Sequence, residues 1–403
     1  MKHKLVITTC VTTLFLALPA TAAKQSDVER LLSTNSCYRC DLRNAELSNL
    51  DLSGANLRLA KLDSANLSET NLVGADLSFA ELRGANLSLA NLEKATFREA
   101  KLNRQGEKAT DLSRANLKKA NLFAADLTGV LLNQANLNEA NFSYANLATA
   151  DLVKVKANNA NFAATNLSEA NLQQASLKVA SLNNADLSEA KLHRVALDYA
   201  NLAGANLRET DLSQAVLIDA NLTEADLENA NLSEAILATA GLNGVDLNNA
   251  DLSKANLKNA SLNRANLVGA NLSEADLTNA KANLANFSNA NLTGTILKYA
   301  YLHRAIFTNA NLNGAFLSGA NLREANLNNA GLFGANLDSA NLVNAQFVGA
   351  NLTYTNLFNS DLRGANLERA NFSHANLNQA NLIGAALANA NLTEAQLSEA
   401  NYK

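Results

Sequence analysis

Residues 225–234 read ADLENANLSE, which is two successive copies of a five-residue unit that recurs along most of the chain. From Leu42 to Tyr402 nearly every fifth residue is Leu or Phe. Ala stands two residues before most of these central positions, and Asn or Asp stands directly before them. The unit is therefore Ala-(Asn/Asp)-Leu-x-x. A register held over this length predicts one repeat architecture in place of the two or three domains that 403 residues would otherwise suggest.

A spacing of five residues fits neither an α-helix nor an uninterrupted strand. On a helix, five steps advance the chain by about 500°, so the leucines would make no stripe. On a strand, an odd spacing sends successive leucines to opposite faces. Both conflicts disappear if each repeat is one short extended side followed by a corner, with Ala and Leu both pointing inward. Asn and Asp suit this geometry because they hydrogen-bond nearby backbone and tolerate turn conformations.

Unusual residues recur at a spacing of twenty. Phe142 is followed by Phe162, and Phe287 by Phe307, at the central position. Ile296 and Phe316 replace Asn or Asp at the same spacing. This pattern indicates four repeats in each turn of a coil, so that residues twenty apart stack and the backbone pairs with the coils above and below.

Tandem units such as Ala55-Asn56-Leu57-Arg58-Leu59 and Ala225-Asp226-Leu227-Glu228-Asn229 resemble the pentapeptide-repeat family, and the resemblance covers residues 37 to 402. It implies an all-β fold, a right-handed quadrilateral parallel β-helix with four repeats in each coil. The chain would then form about 18 coils, and at about 4.8 Å per coil a rod roughly 85 Å long.

The first residues have the pattern of a targeting segment. Lys2, His3 and Lys4 precede an apolar run from Leu5 to Leu18, and Ala20-Thr21-Ala22 is a small-residue cleavage site. We expect a signal peptide at 1–22, with cleavage after Ala22 or Ala23. The run is shorter than the about 20 residues that span a bilayer, so no transmembrane segment is expected in the mature chain.

A covering segment is expected at 24–36, ahead of a β-helix at 37–403. Ser26-Asp27-Val28-Glu29 resembles a capping box, and Val28, Leu31 and Leu32 would form the apolar side of a short helix over the first coil. Solenoids need such covers because an uncovered coil exposes unpaired backbone.

The C-terminal residues Ala400-Asn401-Tyr402-Lys403 are still in register, with no comparable cover in the sequence. We therefore expect end-to-end pairing of two rods, a homodimer formed through the C-terminal coil.

Cys37 and Cys40 flank Tyr38-Arg39 where the coil begins. Export favours oxidation, and a local disulfide bracing the first coil is the leading interpretation. A zinc site would need further Cys or nearby His, a haem site would need His where Asp41 stands, and a thioredoxin-like role needs a βαβ context. Exported cyanobacterial members of the family carry a similar Cys-x-x-Cys, so the resemblance implies a periplasmic or thylakoid-lumen location.

The sequence gives little reason to expect an enzyme. The predicted interior is filled by Leu, Phe and Ala, which leaves no room for a substrate. His193, His303 and His374 are too far apart to form one metal or catalytic site. We expect no cofactor and no metal. The net charge of -4 over 403 residues also argues against nucleic-acid binding.

Gln105-Gly106-Glu107-Lys108 breaks the repeat chemistry while keeping its count. Glu107 would occupy a central, inward position, where an unpaired charge is strongly disfavoured. We expect these residues to loop out, either as a tolerated insertion or as a docking loop on a basic surface. Ala157 and Ala282 are the other irregular central positions, and a local bulge could turn Leu284 inward in place of Ala282.

Apolar residues replace polar ones on one part of the outer surface. They form the candidate partner patch, in which four residues occupy outward Asn/Asp slots and two lie near them: Ile296, Tyr301, Ile306 and Phe316, with Tyr299 and Phe333. Relaxed drift of the repeat is the alternative explanation, because scattered apolar surface residues are common.

The expected function is that of a non-enzymatic exported rod that binds or scaffolds an unidentified protein. A passive structural spacer is the first alternative. The second is suggested by the family, whose best-understood members protect DNA gyrase by imitating duplex DNA, and by residues 209–253, which hold nine acidic residues and no Lys or Arg. These charges are expected to encircle the rod, which argues against a DNA mimic or topoisomerase inhibitor.

Overall fold

The computed structural model describes residues 23–402. It begins with one helix, α1 (Gln25–Thr34), and continues as a coil in which outward backbone positions form parallel bridges with the position twenty residues later, or twenty-five later where the bridge spans residues 105–109. The bridges fall into four ladders, which start at Ser36, Asp41, Glu46 and Asp51 and are numbered 1 to 4 in that order. Each bridge is an isolated residue pair, so the strands are one bridge long. The right-handed sense and the count of about 18 coils stay predictions.

Each repeat binds the coils on both sides through its backbone. The N–H of Leu57 donates to the carbonyl of Asp76 at 2.8 Å, and the N–H of Leu59 donates to Ser78 at 3.0 Å. In return, the N–H of Asp76 donates to the carbonyl of Ala55 at 2.9 Å. Because the same inter-coil hydrogen bonds recur on all four sides of the coil, the buried backbone N–H and C=O groups are paired without long strands.

The corners rest on a left-handed residue two positions after the central Leu. Corner residues have φ values between 53° and 71°, and Gly, Asn, Glu and Lys are common there. The Asn/Asp slot does not adopt this conformation, so its tolerance of turn conformations is not used there, whereas its predicted hydrogen bond to nearby backbone is confirmed. Instead its side chain braces the corner: Asn56 Oδ1 accepts the N–H of Arg58 at 3.2 Å.

The interior is a continuous apolar column. Central Leu and Phe residues are almost completely buried, and Phe142 stacks on Phe162 with ring centroids 5.0 Å apart. Phe287 stacks on Phe307 at 4.8 Å. Thr residues that replace the inward Ala satisfy their hydroxyls on backbone carbonyls, as Thr70 does with Leu47 at 2.8 Å.

Ala157 and Ala282 remain inside the coil, so the predicted bulge is wrong. Both are fully buried, while Leu284 lies on a corner at φ 60° with 45% of its surface exposed. Each of these alanines stands five residues before a stacked phenylalanine, Phe162 or Phe287. A small side chain next to a large ring keeps the filled volume of the coil nearly constant, which explains why the register does not slip.

Helix α1 covers the first coil. Leu31 is fully buried against the core, and Asp27 Oδ2 accepts the N–H of Asp41 at 2.9 Å. The N–H of Lys24 donates to the carbonyl of the same Asp41 at 3.1 Å, so the edge of ladder 2 is paired at its start.

Two details of the predicted helix are wrong. Lys24 is the N-cap and makes no side-chain capping bond, and Ser26 already lies inside the helix, so the predicted capping box is not formed. Leu32 is 55% exposed, because a ten-residue helix on a narrow coil has only one line of contact. The proposed signal peptide lies outside the described residues. Within 23–402, no helix combines the length and apolarity needed to cross a bilayer.

Candidate interaction surfaces

The outer surface is organised by ladders of Asn and Asp side chains. Asn136 Nδ2 donates to Asn116 Oδ1 at 2.9 Å, and Asn271 Nδ2 donates to Asp251 Oδ1 at the same distance. An Asp can accept from the Asn in the next coil but cannot donate to the Asx residue before it, so Asn is the residue that extends a ladder. We call the outward surface over ladder 1 face 1, and likewise for the other three ladders. Corners separate successive faces.

The structure divides the six residues of the candidate patch among several faces. Ile296 and Phe316 are bridged neighbours on face 4. Tyr301 lies on face 1 and Ile306 on face 2, which is opposite face 4. Phe333 lies at the corner between faces 3 and 4, on a later coil. One continuous patch of all six is therefore not formed.

A smaller group does form a continuous surface at the corner between faces 4 and 1. Lys298 Nζ lies 5.8 Å from the ring centroid of Phe316, beside Ile296. Tyr299 is 61% exposed and lies over Gly319, where an added Cβ would come within 2.6 Å of its ring. We call Ile296, Lys298, Tyr299 and Phe316 the 296–316 cluster. Its apolar side chains lie beside a cation, which suits a partner with both apolar and acidic groups.

A second aromatic surface was missed by the sequence reasoning. The rings of Phe333 and Tyr354 meet edge to face with centroids 5.6 Å apart, and Tyr354 stacks on His374 at 4.6 Å. His374 Nδ1 lies 2.9 Å from Glu394 Oε2. The twenty-residue spacing of Tyr354, His374 and Glu394 was the available signal.

The structure places Gln105 to Lys108 in a small hairpin outside the coil. Bridges skip from Asn86 to Asp111, twenty-five residues apart, so five residues leave the register. Gln105 and Lys108 exchange backbone hydrogen bonds at 2.9 and 3.1 Å, and Gly106 has φ 59°. Glu107 is exposed at the tip.

Two glycines make room for this hairpin. A Cβ at Gly84 would lie 3.3 Å from side-chain atoms of both Gln105 and Lys108. A Cβ at Gly129 would lie 2.6 Å from Arg104 Cδ, and Arg104 in turn donates to the carbonyl of Glu107 at 3.0 Å. The hairpin thus packs on the rod.

Cys37 and Cys40 form a disulfide with Cα atoms 5.2 Å apart. Both sulfur-bearing residues are almost completely buried, and the guanidinium of Arg30 in α1 contacts Cys40 Sγ. The disulfide therefore links two residues of the first coil at the point where the covering helix packs on that coil.

The C-terminal coil is less covered than the N-terminal one. Its central leucines are only partly buried, and Tyr402 is 61% exposed. A cavity of about 260 Å³ opens there, and its lining is wholly central residues: Leu367, Phe372, Leu377, Leu382, Leu387, Leu392, Leu397 and Tyr402.

Ion pairs on the outside alter the ionisation of several carboxylates. The hydrogen bond from Arg43 lowers the pKa of Asp41, and that from Arg363 does the same for the pKa of Asp361. The hydrogen bond from Arg304 lowers the pKa of Glu324. These shifts reflect surface pairing and do not mark a reactive group.

The histidines are separate from one another. His193 Nδ1 lies 2.8 Å from Ser213 Oγ, and His303 Nδ1 lies 3.0 Å from the carbonyl oxygen of Arg323. Between residues 23 and 402, no three His, Cys, Asp or Glu side chains are grouped as a metal site would require.

The acidic stretch at 209–253 is spread around the rod. Asp226 and Asp246 lie on ladder 2, and Asp211 lies on ladder 3. Asp219 and Glu224 occupy the two corners that flank face 1. Charge placed on several faces does not form the two parallel lines of a DNA backbone.

The four ladders, the Leu-filled interior and the left-handed corners define a β-helical repeat protein. The chain belongs to the pentapeptide-repeat family. The family model for pentapeptide repeats matches residues 40–78, 70–104, 200–237, 240–279, 270–309, 285–323, 307–337, 330–369 and 365–401, and a second, for a pentapeptide repeat region, matches 125–202. Known structures of this family are right-handed β-helices.

Solved structures of other family members are similar to the chain. HetL, involved in heterocyst differentiation regulation in the cyanobacterium Nostoc, is 31% identical, with 72% of this chain and 90% of HetL covered at a TM-score of 0.22. A protein of the Arabidopsis thaliana thylakoid lumen is 32% identical over 29% of this chain and 64% of its own, with a TM-score of 0.17. QnrB1, a plasmid-mediated fluoroquinolone resistance protein, is 17% identical over 52% and 87%, with a TM-score of 0.21. No curated protein matches the chain.

Proposed function

We propose that this chain is an exported, non-enzymatic rod that binds another protein through its outer surface. The observation that carries the proposal is the 296–316 cluster, in which Ile296 and Phe316 stand side by side in a ladder whose usual residues are Asn and Asp. Exposed apolar side chains beside a cation are typical of contact surfaces.

The architecture supports an outer-surface function. The coil interior is filled by buried Leu, Phe and Ala, so partners reach the rod from the side or at its ends. A right-handed rod of about 18 coils would present a long, straight platform roughly 85 Å in length. Such a platform can hold a partner without any moving part.

Export to a periplasm or thylakoid lumen is supported by two features. The first residues have the composition of a signal peptide. The Cys37–Cys40 disulfide is also expected to persist where the compartment is oxidising.

Two alternatives make different predictions. A passive spacer would have no stoichiometric partner. A DNA mimic would need a continuous acidic face. Asp211, Asp219 and Asp226 lie on different parts of the circumference, which argues against this alternative.

The partner is tested by affinity capture from the exported compartment with mature wild-type protein and the double variant Ile296→Asp with Phe316→Asp. Asp is a usual residue in this slot, so the variant should remain folded. The matched control is Val216→Asp with Ile236→Asp, which makes the same change on the same ladder four coils earlier.

A partner bound at a constant ratio by wild type and control, and lost by the 296/316 variant, supports the proposal. Equal binding by all three proteins would reject the cluster as the site. The absence of any stoichiometric partner would favour the spacer.

We also propose end-to-end pairing through the C-terminal coil, supported by its exposed apolar cavity and by the contrast with the helix-covered N-terminal coil. Burial of apolar surface predicts that this pairing persists in salt. Light scattering on the full mature chain tests it, and a monomer at micromolar concentration in 0.5 M salt would contradict it.

A further inference from the structure

The two corners that flank face 1 carry acidic residues on one coil and basic residues on another coil, four coil steps later. Ladder 1 runs through Asn221, Gly241, Ser261, Lys281 and Tyr301. On the Asn221 coil the two flanking corners carry Asp219 and Glu224, both exposed. On the Tyr301 coil the same two corners carry Lys298 and Arg304, also exposed.

We propose that two copies of this chain associate side by side through face 1, in antiparallel orientation. A two-fold axis lying between the faces, at right angles to both rods and passing the Ser261 coil, would bring each Asn221 coil opposite the Tyr301 coil of the second copy. This rotation keeps each corner opposite the same corner. Asp219 therefore faces Lys298, and Glu224 faces Arg304, twice in the dimer.

The shape of the intervening coils agrees with this register. Between the charged coils, the Gly241 coil meets the Lys281 coil. Gly241 and Gly244 carry no side chains there, while Lys281 and the 45%-exposed Leu284 project from the opposite coil. Projecting groups thus face a flat surface on both sides of the axis.

Existing ion pairs leave the required groups accessible. Arg304 Nε bonds Glu324 Oε2 at 2.7 Å, which leaves its other guanidinium donors for a second carboxylate. Lys258, which lies near the axis, is paired with Asp276 at 3.2 Å. Arg264 opposes the contact, because it lies on the Ser261 coil and its positive charge would face Arg264 of the second copy.

The wider charge distribution also favours a second copy as the occupant. Residues 209–253 contain no Lys or Arg, and residues 277–323 contain no Asp or Glu. An antiparallel pair centred on Ser261 places the parts of these stretches that flank face 1 opposite each other, Asp219 and Glu224 against Lys298 and Arg304, in one closed, symmetric contact. The contact covers about five coils, so we expect weak, salt-sensitive association in place of a permanent dimer.

The test uses purified mature chain in sedimentation velocity at about 100 μM, in 50 mM and 500 mM NaCl. We expect a larger species in 50 mM than in 500 mM NaCl, because salt screens the face 1 contacts while the apolar end contact proposed above persists. Two variants, Lys298→Glu with Arg304→Glu, and Asp219→Lys with Glu224→Lys, should each raise the dissociation constant roughly tenfold or more.

An equimolar mixture of the two variants provides the decisive readout. Each variant alone brings like charges together, but the mixed pair is complementary at all four contacts, so heterodimer should form. The matched control, Lys154→Glu with Lys254→Glu, changes the same charge at the corner between faces 3 and 4 and should dimerise like wild type.

The control and mixing results are decisive in both directions. A species no larger in 50 mM than in 500 mM NaCl, or variants that gain no size when mixed, would overturn the proposal, as would a low-salt species that none of the face 1 changes weakens. A dimer of the same size in 50 mM and 500 mM NaCl would indicate the end contact alone and would overturn the face 1 contact. The heterologous partner proposed above is tested separately by the 296/316 variant, so either proposal can fail alone.

Discussion

Val179 illustrates what a corner requires of its residue. It is β-branched, has φ 59°, and leaves 53% of its surface exposed. The left-handed region is costly for such a side chain, whereas Asn adopts it readily. Val179→Asn should therefore raise the free energy of unfolding by about 0.5–1 kcal/mol.

Chemical denaturation of both proteins checks this prediction. The control is Val153→Asn at an outward position outside the positive-φ set, where no comparable gain is expected. A gain of the same size at both sites would show that polarity, and not backbone conformation, is responsible.

Substitution of Ala282 tests whether the side-chain volume inside one coil is held nearly constant. Its methyl group is fully buried five residues before the stacked Phe287. Ala282→Leu restores the usual central residue but overpacks this coil, and should destabilise the protein by about 1–3 kcal/mol. Adding Phe287→Leu should recover part of the loss, since the ring would no longer compete for the space.

Thermal and denaturant unfolding of the single and double variants measure this coupling. If Ala282→Leu alone made the rod more stable, a void would have to lie beside Ala282, and the volume account would be wrong.

Deletion of the hairpin at residues 105–109 tests whether the coil folds without it and whether the hairpin packs on Gly84. Deleting residues 105–109 joins Arg104 to Thr110, which already occupies an inward position and is fully buried. The bridges skip these residues, so the deletion should keep the fold and the far-ultraviolet circular dichroism of wild type. Gly84→Ala should cost more than about 1 kcal/mol in wild type, because φ is 63° and the new Cβ would touch Gln105.

In the deletion variant the same Gly84→Ala change should cost less, since only the backbone term remains. Unfolding of all four proteins gives the comparison. An equal cost in both backgrounds would mean that the hairpin does not pack on Gly84 in solution.

Much of the coil could be predicted from the sequence because every repeat reports the same constraint. The stacked Phe pairs and the twenty-residue register follow from spacing alone. The location of the left-handed residue could not be predicted, because many residue types occupy the corner and no single signal marks it. The capping box failed because Ser26 fits the pattern locally, while the contacts of α1 with Asp41 decide where the helix begins.

The candidate surface was harder to predict than the core. Outward residues close in sequence, such as Ile296, Tyr301 and Ile306, lie on three different faces. Residues twenty apart are the true neighbours on the surface. The candidate patch was grouped by closeness in sequence, so the Tyr354–His374 stack was missed. Grouping outward residues by ladder recovers both the 296–316 cluster and the charges of face 1.

Along the whole rod, the residues that hold the fold are distinct from the residues that face solvent. Inward Ala and Leu maintain the coil, and outward residues vary without disturbing it. This separation permits apolar clusters and blocks of one charge on the surface at little cost to stability. We therefore expect binding specificity to be set by the pattern of outward side chains.

We infer that a protein partner binds at the 296–316 cluster. The most direct measurement is site-specific photo-crosslinking in the native compartment, with a photoreactive phenylalanine analogue replacing Tyr299 or, as control, Tyr144. The two tyrosines are similarly exposed, at 61% and 66%, and both occupy left-handed corners. We expect one dominant crosslinked protein from position 299 and none from position 144; the same products from both positions, or none from either, would contradict the claim.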